Sequence, residues 1–321
     1  MRSAVRAQSH VAWGDSKREG FTTDTYLHNG SRLTKTTVQV GGHTLTSLTR
    51  RDPGVDTDWT VEHLLKCPAD IDAYLQIPDE ALQLPVNIEP VLEAERQLGD
   101  RGIVMIDTED PLCAAATLFD MQEYLMVAFT EPRRFHQLLE KHAAILYART
   151  AQVARELPGR LWRIYGPEYA SEPYLPAKFF AEYVMRYVEP MVRMIQRDGG
   201  FARLHCHGRL RNILDLIVGM GVDATDPLEP PPQGDVELAD VRERYGERLV
   251  LFGNIEIAHI EALPPAEFER VVRKSLADGT RGRGRGFVLM PTASPNGRTI
   301  APHVLRNYAT LVRLAQNWRL S

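Results

Sequence analysis

The stretch FARLHCHG, residues 201–208, decides how the chain is read: an apolar run of strand length gives way to two imidazoles, a thiol and a glycine. In a strand, side chains at i and i+2 share a face, so His205 and His207 point together and Cys206 points away. Runs of the same make occur at 102–107, 161–166, 222–226, 249–253 and 287–291. Most are four or five apolar residues closed by Gly, Pro or an acid, as fully buried parallel strands are. Helical patterns fill the gaps, at 132–155, 176–197, 209–220, 235–245, 265–278 and 302–317. Strand and helix in alternation predict parallel βα units with right-handed crossovers.

Two architectures answer that description, a doubly wound sheet and a (β/α)8 barrel of the TIM type. The residues that follow the strands favour the barrel. Asp107, Asp110, Tyr165, Glu168, His205, His207, Asp226, Glu229, Asn254, Glu256, Ser294 and Arg298 all stand at or just beyond a strand's C-terminal end. In a barrel those positions form one ring at the catalytic face. A dinucleotide fold needs a Gly-rich turn between strand and helix. The GRGRG run at 282–286 precedes a strand instead, so no dinucleotide site is expected.

The first hundred residues differ. Residues 31–40 and 43–49 alternate and are rich in β-branched side chains around Gly41-Gly42, which predicts a β-hairpin. Residues 58–74 read as helix and 77–90 as a Pro- and acid-rich connector. The expected division is a hairpin or lid segment over 1–95, packed on a barrel over 96–321. No clear candidates for the first two barrel strands stand out, so those strands are expected to be missing or altered.

Composition narrows the setting. The chain has 321 residues, 44% hydrophobic and 25% charged, with a formal net charge of -4. That is the balance of a globular domain with room for a full core, and no basic field points to nucleic acid or an anionic membrane. Three scattered cysteines do not make a disulfide framework, which favours a reducing compartment. No apolar run reaches the roughly 18 residues of a membrane span, and the N-terminus lacks a signal-peptide core. A cytoplasmic enzyme with a small-molecule substrate is expected.

Chemistry concentrates at the strand ends. A His-x-His pair at a barrel mouth suits zinc, with His205, His207 and Glu229 as candidate ligands. Equally, it suits acid–base work, with His205, His207, Glu168 and Asp107 as candidate catalytic groups. Cys206, on the other face, is expected to pack in the core. The Pro-rich loop DPLEPPPQGD, residues 226–235, is stiff and carries Asp226 and Glu229, and Asp235 is a candidate N-cap. Tyr165, Arg163, Asp226, Asn254, Glu256 and Arg298 are the candidate substrate contacts, Arg298 being the natural partner for an anion.

Taken in order, HCHG (205–208), G-x-D-x-x-x-P-x-E-P-P-P-x-G-D (221–235), L-x-G-N-I (251–255) and a Pro- and Gly-rich last strand end resemble the uroporphyrinogen decarboxylase superfamily. The resemblance covers roughly residues 100–317 and is nearest to the methyltransferase-like branch. It implies a (β/α)8 barrel and a methyltransferase-like enzyme acting on a small methylated substrate or a corrinoid. It also implies a corrinoid protein as partner, a homodimer, and zinc held by a His-x-Cys pair with a later cysteine. Here His205 matches the first ligand, His207 replaces the cysteine, and residues 292–294 offer neither Cys nor His. The other activity it implies is decarboxylation of uroporphyrinogen, with an acid such as Asp107 or Asp110 as proton carrier. A third reading is a non-catalytic, corrinoid-binding relative.

Overall fold

The computed structural model describes residues 3–8, 20–55, 57–295 and 299–319. Seven parallel strands form one sheet: β1 (Ser3–Gln8), β6 (Gly102–Glu109), β7 (Leu161–Tyr165), β8 (Phe201–His205), β9 (Ala224–Asp226), β10 (Val250–Ile255) and β11 (Phe287–Pro291). Four more, β2 (Phe21–His28), β3 (Ser31–Val40), β4 (His43–Arg51) and β5 (Trp59–Glu62), make a separate antiparallel meander.

From β6 onward each strand of the parallel sheet lies beside its predecessor. A doubly wound sheet reverses its order at a switch point. Sequential order with right-handed crossovers puts every helix on the same face, and the sheet curls into a TIM-type barrel. The curl shows in one contact: Arg203 on β8 reaches Sδ of Met290, three strands away on β11, at 4.0 Å. One side of the sheet carries Asp107, Glu109, Arg163, Tyr165, Arg203, His205 and Asp226 inward. The other carries Trp162, Ile164, Ala202, Leu204 and Leu251, all buried under the helices.

Those helices are amphipathic. In Pro132–Glu156, Phe135, Leu138, Leu139, Leu146 and Val153 recur at three- and four-residue spacing and are buried. Each large apolar side chain so covered contributes about 1.5–3 kcal/mol. The helices Pro111–Ala116 and Met121–Thr130 are capped by Asp110, which accepts from the Cys113 N–H at 2.6 Å, and Asp120, which accepts from Glu123 N–H at 2.9 Å. Cys206 is fully buried in the core.

The N-terminal region departs from the expectation in three ways. Residues 3–8, not expected as a strand, pair in parallel with β6. The helix expected over 58–74 is instead β5, which pairs with β4, followed by a helix at Pro68–Tyr74. Pairing with β4 overrides the helical spacing, because a short β-prone run gains a ladder there. The connector at 77–90 holds a helical turn at Asp79–Leu82. Both hairpin turns take positive φ at their two central residues, Asn29-Gly30 and Gly41-Gly42, the geometry that matches the twist of the strands. Further along, Asp235 is not the cap of the helix Leu238–Tyr245. It accepts from the Arg211 backbone N–H at 3.0 Å and so ties two rim loops together.

Candidate active site

The C-terminal ends of β6 to β10 bring the polar side chains to one mouth. On the inner face two ion pairs lie deep: Arg163 Nε to Asp107 Oδ1 at 2.7 Å and Arg203 Nε to Asp226 Oδ1 at 3.0 Å. Asp107 and Asp226 are fully buried. Strand alternation explains the layer, since Arg163 and Tyr165, Arg203 and His205, and Asp107 and Glu109 are i,i+2 pairs. The guanidinium of Arg203 also lies over the Phe252 ring, 4.7 Å from its centroid, so its charge is held by a carboxylate and an aromatic face.

Above that layer stand the two histidines, edge to face with ring centroids 4.7 Å apart. His205 Nδ1 donates to Asp226 Oδ2 at 2.7 Å, and His207 Nδ1 donates to Glu229 Oε1 at 2.9 Å. Glu229 Oε2 accepts from the Gly208 backbone N–H at 2.9 Å. A histidine whose Nδ1–H is bound by a carboxylate has its tautomer fixed and presents Nε2. Burial would raise Asp226, but the hydrogen bond from His205 and the charges of His205, Arg203 and Arg163 hold it below its ordinary value. For His207, burial lowers the pKa, and the Glu229 hydrogen bond and charge outweigh it, so the net direction is upward.

Acids ring the pair. Glu168 Oε2 accepts from Gly166 N–H at 3.1 Å, and Ser171 Oγ donates to the carbonyls of Glu168 and His207 at 2.9 and 3.0 Å. Glu109 takes Arg149 at 2.9 Å and the Tyr165 hydroxyl at 3.5 Å. Glu256, 4% exposed, accepts from Thr292 Oγ1 at 3.3 Å. Burial, then the nearby negative charge of Glu229, pushes its carboxyl up to about 7. Asp110 is pushed well above the carboxylate range by burial, despite its hydrogen bond from Cys113, with Glu168 and Glu109 adding repulsion.

The structure thus brings together His205, His207, Asp226, Glu229, Arg163, Asp107, Glu168, Tyr165 and Glu256 at one end of the barrel. Asn254 faces elsewhere: its Oδ1 accepts from Ser275 at 2.8 Å, on the helix Pro265–Thr280 that covers the sheet. Arg298 lies outside the described residues. Arg203, Glu109 and Arg149 are part of the network and stood outside the main sequence candidates. The signal for the first two was two-residue spacing from His205 and Asp107; nothing local pointed to Arg149, which comes from a distant helix.

Zinc fits this donor set poorly. Among the described residues no group of three or more His, Cys, Asp or Glu side chains is arranged to hold a metal ion. The expected trio fails because Glu229 spends its two oxygens on His207 and Gly208, behind the imidazole. What remains is two Nε2 atoms, one protein ligand short of a catalytic zinc site. A cavity of about 440 Å³ lies at the opposite end of the barrel, lined by Glu95, Gly102, Arg160, Leu161 and Phe201. It is remote from the histidines and acids of the mouth, and barrels of this type place catalysis at the other face.

Comparison with known proteins gives a consistent frame. The uroporphyrinogen decarboxylase (URO-D) family model matches residues 58–315. Uroporphyrinogen decarboxylase of Edwardsiella ictaluri (strain 93-146) is 26% identical over 231 residues, 69% of this chain and 62% of that protein. The Pseudomonas putida (strain GB-1) enzyme is 25% identical over 250 residues, 75% of this chain and 66% of that one. The chain therefore spans just under two-thirds of the length of these relatives. Among solved structures, a methyltransferase from Methanosarcina mazei matches with a TM-score of 0.61 at 17% identity, over 81% of this chain and 73% of that one. That likeness is one of fold.

Proposed function

The chain belongs to the uroporphyrinogen decarboxylase (URO-D) family, whose members are enzymes, and we propose that it is methyltransferase-like, acting on a small methylated substrate. One observation carries the reading: two imidazoles, 4.7 Å apart between centroids, each have Nδ1 held by a buried carboxylate of the following loop or strand. Each Nε2 is left for a ligand. His207, made more basic by Glu229, takes the proton of the acceptor as it attacks the methyl carbon, and the bond from that carbon to the donor atom breaks with its electron pair left on the donor. His205, fixed by Asp226 and Arg203, orients that acceptor. General-base help of this kind contributes about 10²–10⁴-fold in rate. The donor on this reading is a methylated small molecule or a methyl group carried by a corrinoid protein, and the protein works as a homodimer. No step is assigned to zinc, since the ligand set is incomplete.

The test is methyl transfer by the purified protein from methylated amines, thioethers, methoxy compounds and methylcobalamin, in wild type and in His207→Ala. Turnover with one donor, cut at least a hundredfold in the variant, supports the reading. Absence of transfer from every donor, or turnover indifferent to His207, overturns it.

A second reading has its own support. Burial pushes the carboxyls of Asp110 and Glu256 upward, Glu256 to about 7, and a carboxy-lyase must protonate a carbanion. Against a substrate with many carboxylates, the inward arginines Arg163 and Arg203 are already bound to Asp107 and Asp226. Formation of coproporphyrinogen from uroporphyrinogen would favour the lyase; its absence alongside methyl transfer would remove it.

A further inference from the structure

Neither His207 nor Glu229 stands on a strand or a helix. His207 lies two residues beyond β8, and Glu229 three beyond β9. The ladder between those strands is short, running from Arg203–Ala224 to His205–Asp226, and the Cys206 N–H donates to the Asp226 carbonyl at 2.7 Å just past it. The sheet itself therefore holds the His205–Asp226 pair, whereas the His207–Glu229 pair sits on two loops. The contacts of Glu229 with His207 and Gly208, both at 2.9 Å, need those loops set in one register.

Arg211 and Asp235 bridge the same two loops farther out. The Asp235 carboxylate accepts from the Arg211 backbone N–H at 3.0 Å, and the Arg211 guanidinium donates to the Asp235 carbonyl through Nε at 3.1 Å and Nη2 at 2.5 Å. Each side chain takes hold of the other's backbone. Reciprocal bonds of this kind fix where two chain segments lie, as a capping box fixes a helix start. From Asp235 the constraint reaches Glu229 through stiff chain: Pro230, Pro231 and Pro232 have fixed φ, and the Gly234 N–H donates to the Pro230 carbonyl at 3.0 Å. Gly234 is buried against Glu229, where a Cβ would lie 2.0 Å from the Glu229 carbonyl oxygen and 2.8 Å from its Cβ. From Arg211 it reaches His207 through a loop that is also pinned on its other side. Ser171 Oγ donates to the His207 carbonyl at 3.0 Å, and the Glu172 carbonyl accepts from the Arg209 N–H at 3.2 Å.

We propose that Arg211 and Asp235 are positioning residues: their reciprocal clasp holds the β9 loop in the register that sets Glu229 on Nδ1 of His207 and leaves Nε2 bare. Of the charged groups around His207, namely Glu229, Glu168 and Asp226, only Glu229 bonds the ring. The clasp deepens the methyl-transfer reading and rests on it for the use of that bare nitrogen, though the ring itself is observed without substrate.

The experiment is long-range proton–nitrogen NMR of the full chain, at a pH where the imidazoles are neutral, which reads the tautomer of each ring. Signals of His205 and His207 are assigned from their loss in His205→Gln and His207→Gln. In wild type both rings should carry the proton on Nδ1. In Arg211→Ala and Asp235→Ala, His207 should lose that preference and show the proton on Nε2, while His205, held by the sheet, keeps its own. Asp235→Asn retains an acceptor oxygen for the Arg211 N–H and should restore the wild-type signals. Arg211 is exposed and Asp235 half-buried, and circular dichroism confirms that the alanine variants fold. Gly234→Ala, which drives a Cβ against Glu229, should produce the same change in His207 and keeps the test open if either fails to fold. An unchanged His207 tautomer in the folded variants, a change shared equally by His205, or no rescue by Asp235→Asn overturns the proposal. Wild type with the expected tautomers but no methyl transfer from any donor would sink the reaction and sustain the clasp; transfer with His207 indifferent to Arg211 and Asp235 would do the reverse.

Discussion

Asp226 holds His205 by one carboxylate oxygen, at 2.7 Å from Nδ1, while its other oxygen lies 3.0 Å from Nε of Arg203. A single buried charge therefore sets an imidazole and neutralises an arginine below it. Replacing it by Asn should remove the Asp226 charge that faces buried Arg203, and breaking a buried pair costs about 3–5 kcal/mol. Urea denaturation of Asp226→Asn should read a loss of that order. A loss below about 1 kcal/mol, the range of exposed pairs, would show that the network contributes nothing to the fold.

The same residue fixes the acid side of the stability profile. Its folded pKa lies below the ordinary 3.8, so the folded state binds this proton less tightly than the unfolded chain. Its contribution is complete above about pH 4 and is lost as pH falls through the depressed folded value. Wild type should lose stability below pH 4 more steeply than Asp226→Asn. Parallel curves would contradict the assignment.

Glu256 has the opposite sign. Its pKa is raised from 4.5 to about 7, so the folded state keeps a proton that the unfolded chain releases. Its contribution is complete below pH 4.5 and is lost as pH rises through 7, a change of order 1–3 kcal/mol for a shift of this size. Glu256→Gln should flatten the stability profile between pH 4.5 and 7 and be the more stable protein at pH 8. Equal slopes in both proteins would refute it.

His207 titrates high because Glu229 faces it. Proton-detected titration of the imidazole should give a midpoint above the ordinary 6.5 in wild type. It should drop in Glu229→Gln, where desolvation is opposed only by the charges of Glu168 and Asp226. By the same linkage, wild type gains stability from this pair below 6.5 and loses it as pH rises through the folded value. A midpoint unmoved by the substitution would break the link between them.

Gly166 seats the β7 loop against Asp110. Its φ is +112°, and a Cβ there would lie 2.1 Å from Cβ of Cys113 and 2.9 Å from Oδ1 of Asp110. Gly166→Ala meets both left-handed backbone strain and a clash in packed surroundings, so a loss of about 2–4 kcal/mol is expected. A melting temperature equal to wild type would show that the loop relaxes freely.

The sequence by itself determined the barrel. Six strand runs from residue 102 onward and the helices between them were legible because a buried parallel strand leaves a short apolar run and an amphipathic helix leaves a 3.6-residue period. Its i,i+2 rule also put His205 and His207 on one face, and burial of Cys206 followed. What it left open depended on partners distant in the chain. Residues 3–8 carry little strand signature and gain it only by pairing with β6; Trp59–Glu62 becomes a strand because β4 is there to receive it. Glu229 has the look of a metal ligand until the fold sets it behind His207, and Asn254 leaves the mouth for Ser275. Periodicity is a local property written in every few residues. Which oxygen faces which nitrogen is set by the curl of the sheet, which joins segments twenty to sixty residues apart.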